Sequence, residues 1–179
     1  MAQRTFELAF AKFIQDFKDQ IKENFFEDAF HKRELLSQYQ MGKDMLHEVA
    51  DGVLSDFTVN IDYKTPVEAV ADRYVKLGLR CFENSVSYSE MIRVFILLRR
   101  HIWLFFQESN FAGQPFDVRS IVALNNRTTL FFDRAMYYFL VGMEQSQSEN
   151  RTEMEQLYDS LLEKLRHDLG IARDSGRLD

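Results

Sequence analysis

Residues 97 to 106, LLRRHIWLFF, set Arg99, Arg100 and His101 inside one of the most apolar stretches of the chain. A second stretch, LNNRTTLFFDRAMYY, does the same with Asn125, Arg127, Asp133 and Arg134. A guanidinium among apolar side chains needs an acceptor, because burying a charge without a partner is strongly unfavourable. Two arrangements meet that need. One is a structural ion pair, for which Asp133, in its aromatic setting, is the nearest acid to offer Arg99. The other is an anion or ligand pocket between two helices, built from Arg99, His101, Arg127, Asp133 and Arg134. His101 raises a third chemistry, since a histidine in a Phe-rich helical pocket is what a haem-binding globin sensor requires. A lone histidine on an apolar face is more often a hydrogen-bonded core residue, so no cofactor is expected and His101 is expected to stay neutral.

Other reactive constellations are sparse. The sequence contains no G-x-x-x-x-G-K-[ST] loop, no H-E-x-x-H and no G-x-S-x-G, so catalysis is not expected. His47 has Asp44, Glu48 and Asp51 nearby, a pattern better explained as a solvated acidic helix face than as a metal site, and no E-x-x-H pair offers a di-iron signature. The single cysteine, Cys81, excludes an intramolecular disulfide and a thiolate-rich zinc site and reads as a small buried apolar residue. A net charge of -6 argues against a general nucleic-acid surface. The N-terminus, MAQRTFELAF, lacks the features of a signal peptide, and no window approaches the roughly 20 apolar residues of a spanning helix, so a cytoplasmic protein with no membrane contact is expected.

The elements that must position these residues are helices. Two prolines and seven glycines among 179 residues are too few turn-formers for a many-stranded β architecture, and the apolar residues recur at three and four positions rather than two. Phe6, Phe10, Phe13, Phe17 and Ile21 form one stripe of a first helix. A second helical region runs from about Asp28 to Phe57, bent or broken at Gly42 or Gly52. Thr65, Pro66 and Glu68 form a T-x-x-E capping box opening a third helix with Val67, Val70, Tyr74, Leu77 and Cys81 inward. Ser87 and Glu90 form a second box before a fourth helix. A fifth begins near Asp117 and runs past Gly142. QSQSEN, residues 145 to 150, reads as a solvated helical segment or short linker. The fold expected is an all-α bundle of about five helices over residues 1 to 145, with a helical extension over 146 to 179.

At 100° per residue, Met91, Phe95, Leu98, Ile102 and Phe105 line the core face of the fourth helix, and Ile92, Ile96, Trp103 and Phe106 form a second apolar lobe. Arg100 falls on the polar strip, whereas Arg99 and His101 fall among apolar neighbours. A helix apolar around most of its circumference is either central to its own domain or shared between subunits. The lobe is therefore a candidate dimer surface. Near the C-terminus, Tyr158, Leu162, Leu165, Leu169 and Ala172 recur at alternating four and three residues, as in a short coiled coil, and Leu162, Leu165 and Leu169 join the candidate interface. The alternative is an amphipathic helix packing back on the same bundle.

The run RYVKLGLRCFENSVSYSEMIRVFILLRRHIWLFF, followed by LNNRTTLFFDRAMYY, resembles the N-terminal domain of RsbRD-type co-antagonists of the RsbT kinase, a family of helical input domains also found ahead of some bacterial histidine kinases. The shared features are a helix ending near a Gly- or Ser-rich turn, a serine-capped helix with an acidic residue, an L-R-R segment, and a final helix with an aromatic and D-R core. The resemblance covers roughly residues 6 to 145. It implies an all-helical, signal-receiving module of bacterial stress-response regulation, often dimeric and without catalytic residues. Related RsbR input domains have a globin-like fold that binds no haem, so a globin-like arrangement is one variant the resemblance allows. Such domains usually precede a STAS, PAS or kinase output domain, and with no such segment before Asp179 the sequence reads as an excised input domain or a stand-alone regulator. The two other readings are a globin-like haem or small-ligand sensor and a stand-alone helical adaptor that binds another protein.

Overall fold

The computed structural model describes residues 2–31, 41–61, 67–109 and 118–168, and these form six helices with no strand among them. They are α1 (Ala2–Asp16), α2 (Lys18–His31), α3 (Lys43–Ile61), α4 (Val67–Glu83), α5 (Tyr88–Glu108) and α6 (Val118–Asp168). The protein is an all-α bundle, as the three-and-four periodicity predicts.

Two element boundaries differ from the sequence expectation. The Phe6-to-Ile21 stripe spans α1 and α2, which meet at Phe17. There the Phe17 amide still donates to the Phe13 carbonyl at 3.1 Å and the Ile21 amide to the Phe17 carbonyl at 3.0 Å, so the stripe keeps its phase. Phe6, Phe10, Phe13 and Ile21 are all buried. Of the two glycines expected to break the second region, Gly42 borders the start of α3, its carbonyl accepting from the Leu46 amide at 3.1 Å, while Gly52 lies inside α3. Thr65, Pro66 and the Glu68 side chain, and with them the first capping box, lie outside the described residues.

The second capping box is present. The Ser87 amide donates to Glu90 Oε2 at 2.8 Å and the Glu90 amide donates to Ser87 Oγ at 3.3 Å, satisfying donors that a helix start leaves open. The chain enters this box through a tight reversal at the end of α4. Ser85 adopts a left-handed φ of 58°, the Val86 amide donates to the Cys81 carbonyl and the Ser85 amide to the Phe82 carbonyl, both at 2.9 Å. That is the Schellman pattern, here with serine where glycine is commonest, and it folds Val86 onto the buried end of α4.

The core is aromatic. Phe10 packs against Phe57, Trp103 and Phe106, with centroids 6.3, 6.0 and 5.4 Å away, tying α1 to α3 and α5. Phe131 and Phe132 reach Phe57 from α6, and Phe139 reaches Phe95. The tightest contact is between α4 and α6. A Cβ built on Gly78 would come within 3 Å of the Phe139 carbonyl oxygen and the Met143 amide nitrogen, and one built on Gly142 would come within 3 Å of the Val75 carbonyl. The backbones touch there because neither residue has a side chain. Downstream, α6 continues unbroken through the expected boundary at 145 and totals 51 residues, roughly 75 Å at 1.5 Å per residue. Its first half buries Leu124, Thr128, Phe132, Ala135 and Phe139, whereas residues 147 to 161 are all exposed.

The glycines sort into two kinds, and alanine separates them. Gly78→Ala and Gly142→Ala should each cost about 3 kcal/mol or more, because only backbone surrounds the added methyl. Gly52→Ala, with no atom within 4 Å of the added carbon, should gain up to about 1 kcal/mol from helix propensity. Urea unfolding of the three variants checks both signs.

Candidate functional site

The five polar residues expected to form one pocket are placed on separate faces. Packing α5 and α6 along their apolar lines turns Arg99 to the shared edge, where its Nη1 lies 3.7 Å from Asp133 Oδ1. The expected partner is present, but both side chains are wet, at 32% and 56% exposed, so this is a surface pair rather than a buried one. His101 points to the other side of α5. It is buried edge-on against Phe25, and its Nε2 sits 3.3 Å from Asp28 Oδ2 on α2. Arg100 Nη1 approaches the same carboxylate at 3.6 Å while remaining largely exposed.

Arg127 holds the buried pair that the wheel assigned to Arg99. Its Nη1 pairs with Glu7 Oε2 of α1 and also donates to the Ile61 carbonyl at 3.4 Å, so one guanidinium ties α6 to α1 and α3. Its side chain is 22% exposed and that of Glu7 only 6%. Arg134 is exposed and makes no ion pair among the described residues. A pocket between α5 and α6 therefore does not form from these groups.

The candidate dimer surface is also redistributed. Phe106 is buried, Trp103 and Ile92 are half-buried, and only Ile96 is well exposed at 45%. The reason is α1, whose Phe10 and Phe13 cover Trp103 and Phe106 within the same chain. Large exposed apolar side chains occur elsewhere, among them Val118, Val122, Leu130 and Tyr137 on the first half of α6, and Met154, Leu157, Tyr158 and Leu161 form a row on its free half. Leu162, beside them, is half-buried, while the Leu165 side chain and Leu169 lie outside the described residues.

One concave site had no counterpart in the sequence expectations. A cleft of about 280 Å³ lies between α3 and α4, floored by Val49, Gly52, Val53 and Leu77. At one end Arg73 pairs with buried Asp56, next to Tyr74, and at the other Arg80 Nη1 donates to Glu48 Oε1 at 2.6 Å. Burial raises the Asp56 carboxyl above its ordinary value despite Arg73, and burial with the Asp56 charge pushes the Tyr74 hydroxyl well above its own. The signal in the sequence was Arg73, Lys76 and Arg80 at spacings that share one face of α4, opposite a glycine in α3. A shallower groove between α2 and α5 holds Asp28, Arg100 and His101.

Two of the three acids near His47, Glu48 and Asp51, are taken up by ion pairs. Asp51 binds Lys18 at 3.0 Å and Lys22 at 2.8 Å, Glu48 binds Arg80, and the His47 ring lies 3.8 Å from that of Phe26. No group of three metal-capable side chains occurs among the described residues. Cys81 is fully buried, and burial pushes its thiol up to about 12. Among the described residues no helix is long and apolar enough to cross a membrane. Comparison with protein-family models, with curated proteins and with solved structures finds no match to this chain.

Removing Arg127 leaves a carboxylate buried, so Arg127→Ala should cost about 3 kcal/mol. The Arg99–Asp133 pair, screened by water, should show a coupling of about 0.5 kcal/mol or less in a double-mutant cycle. Equal costs for Arg127→Ala and Arg99→Ala would contradict this division.

Two acids should respond to pH with opposite signs. Hydrogen bonding from Lys22 holds the Asp51 carboxyl below its ordinary value, so its contribution is present at neutral pH and lost on acidification. The destabilisation by Asp51→Asn should therefore shrink toward about pH 3. Asp56 is raised by burial, so ionising it opposes folding. Relative to the parent, Asp56→Asn should gain stability as pH rises from about 3 to about 6. Urea midpoints across that range provide the test.

Proposed function

We propose that this chain is a cytoplasmic, non-catalytic input module of bacterial signal transduction. In this reading the helical bundle is the receiving body, and the free half of α6 is a dimerising arm that carries its state to an output protein. The observation that carries it is the division of α6. Up to Met143 one face of the helix is built into the core, and the same helix then continues into solvent with Met154, Leu157, Tyr158 and Leu161 exposed. An isolated helix is marginal in water, and its stability normally comes from packing an apolar face. A row of large apolar side chains along one free helix is the mark of a partner surface. A second copy supplies the same row, so self-association through the arm satisfies both constraints.

Continuity gives the arm its signalling role. A rigid helix shared between a bundle and an interface transmits a shift or rotation of one to the other, provided a signal binds two states of the bundle unequally. The resemblance to RsbRD N-terminal domains supports the same reading, including dimerisation and the lack of catalytic residues.

Sedimentation equilibrium from micromolar to about 100 micromolar tests the assembly. The expected species is a dimer, and Leu157→Glu with Leu161→Glu should yield a monomer of unchanged bundle stability. A parent chain that remains monomeric throughout would refute dimerisation by the arm.

A further inference from the structure

The cleft between α3 and α4 has the composition of a ligand site. Cavities of about 150 Å³ already hold benzene, so its 280 Å³ accommodates a molecule of about ten non-hydrogen atoms. The floor of Val49, Val53 and Leu77 offers apolar contact, and Gly52 keeps the hollow open. A Cβ at Gly52 would meet no atom within 4 Å, so the space results from an omitted side chain and not from strained packing.

The charges around the mouth decide what such a molecule carries. Helix α4 sets Arg73, Lys76 and Arg80 along one side. Arg73 and Arg80 each give one Nη1 to an acid of α3, and a guanidinium has five N–H donors, so further donors remain in place. Lys76, between them, has Asp72 of its own helix at 2.7 Å, and both side chains are about two-thirds exposed, so that pair is easily exchanged. Of the two acids, Asp56 is buried under Arg73, whereas Glu48 is exposed but already paired with Arg80. The lining sets three basic side chains against two acids, so an anion adds to donors already present and balances the charge there.

We propose that this cleft binds a small monoanion with an apolar body, of the aryl- or branched alkyl-carboxylate class. Its apolar part rests on Val49, Gly52, Val53 and Leu77, and its carboxylate meets Lys76 with Arg73 and Arg80 on either side. The opposite side of α4 carries Gly78 against α6, so the occupant touches the helix that grips the long arm. The site itself does not depend on how the arm assembles, and binding is measurable whether the chain is monomeric or dimeric.

Phenylacetate, with ten non-hydrogen atoms, is the probe. Titrated into the 179-residue chain, it should move the Gly52 and Leu77 amide resonances saturably, with a Kd of about 1 mM or tighter. Phenylethylamine, one non-hydrogen atom smaller and cationic, should not. Gly52→Leu, which fills the hollow and favours the helix, should abolish the shifts while leaving the fold intact by circular dichroism. Lys76→Gln, an exposed and structurally mild change, should weaken binding about tenfold. Any of three results overturns the proposal: no saturable shift with phenylacetate or isovalerate up to about 10 mM, equal binding of phenylethylamine, or undiminished binding in both variants.

Discussion

Where α4 crosses α6, Gly78 and Gly142 let the two backbones touch, and the rest of the bundle is arranged around that contact. Helix axes normally stay about 8 to 10 Å apart because side chains intervene. With the side chains removed at the crossing, Val75 meets Gly142 directly and Gly78 meets Phe139 and Met143 through their main-chain atoms. Above it, Tyr74 packs against Phe95 and Phe131, and Phe139 packs against Phe95, so the aromatic core closes over the crossing from α5. Protein interiors pack like crystals, and such a contact fixes the position of both helices closely.

Charge placement follows from this packing. With α6 held by α4, its opposite side meets α1 and the end of α3, where Arg127 closes on Glu7 and the Ile61 carbonyl. Lys18 and Lys22 of α2 bracket Asp51 of α3, and Glu90, while capping α5, also accepts from the Met41 amide at 3.5 Å. Each ion pair or hydrogen bond bridges elements that the apolar core has already brought together. On the outward side of α4 the described residues provide no such cover, and the cleft against α3 is lined by those two helices alone, with its row of basic residues.

Much of the architecture was legible in the sequence because helical periodicity and capping are local. The Phe stripe of α1 and α2, the Ser87–Glu90 box and the core line of α5 depend on residues within a few turns of one another. Wheel geometry offers Asp133 as a buried partner for Arg99, and the two lie 3.7 Å apart but open to water, because burial depends on what else covers the edge. Glu7 sits between Phe6 and Leu8 in an apolar run, and its burial under Arg127 joins positions that only the fold brings together. Trp103 and Phe106 were read as an exposed lobe because the wheel of α5 does not show α1 lying over them. The glycine crossing joins α4 and α6 at long range, and its only local sign was glycine inside helices that glycine weakens. Gly52 and the basic row of α4 were likewise visible as residues but not as a cleft, because concavity belongs to two helices at once.

The central claim is that α6 is one helix with two environments, its first half locked in the bundle and its second half completed by another copy. Hydrogen exchange followed along α6 as a function of protein concentration addresses it most directly. Amides between Leu124 and Met143 should exchange slowly at every concentration, as core helices do, while those from Met154 to Leu161 should become protected as concentration rises. Protection of the outer half that is already complete in dilute solution, or absent at all concentrations, would contradict the account.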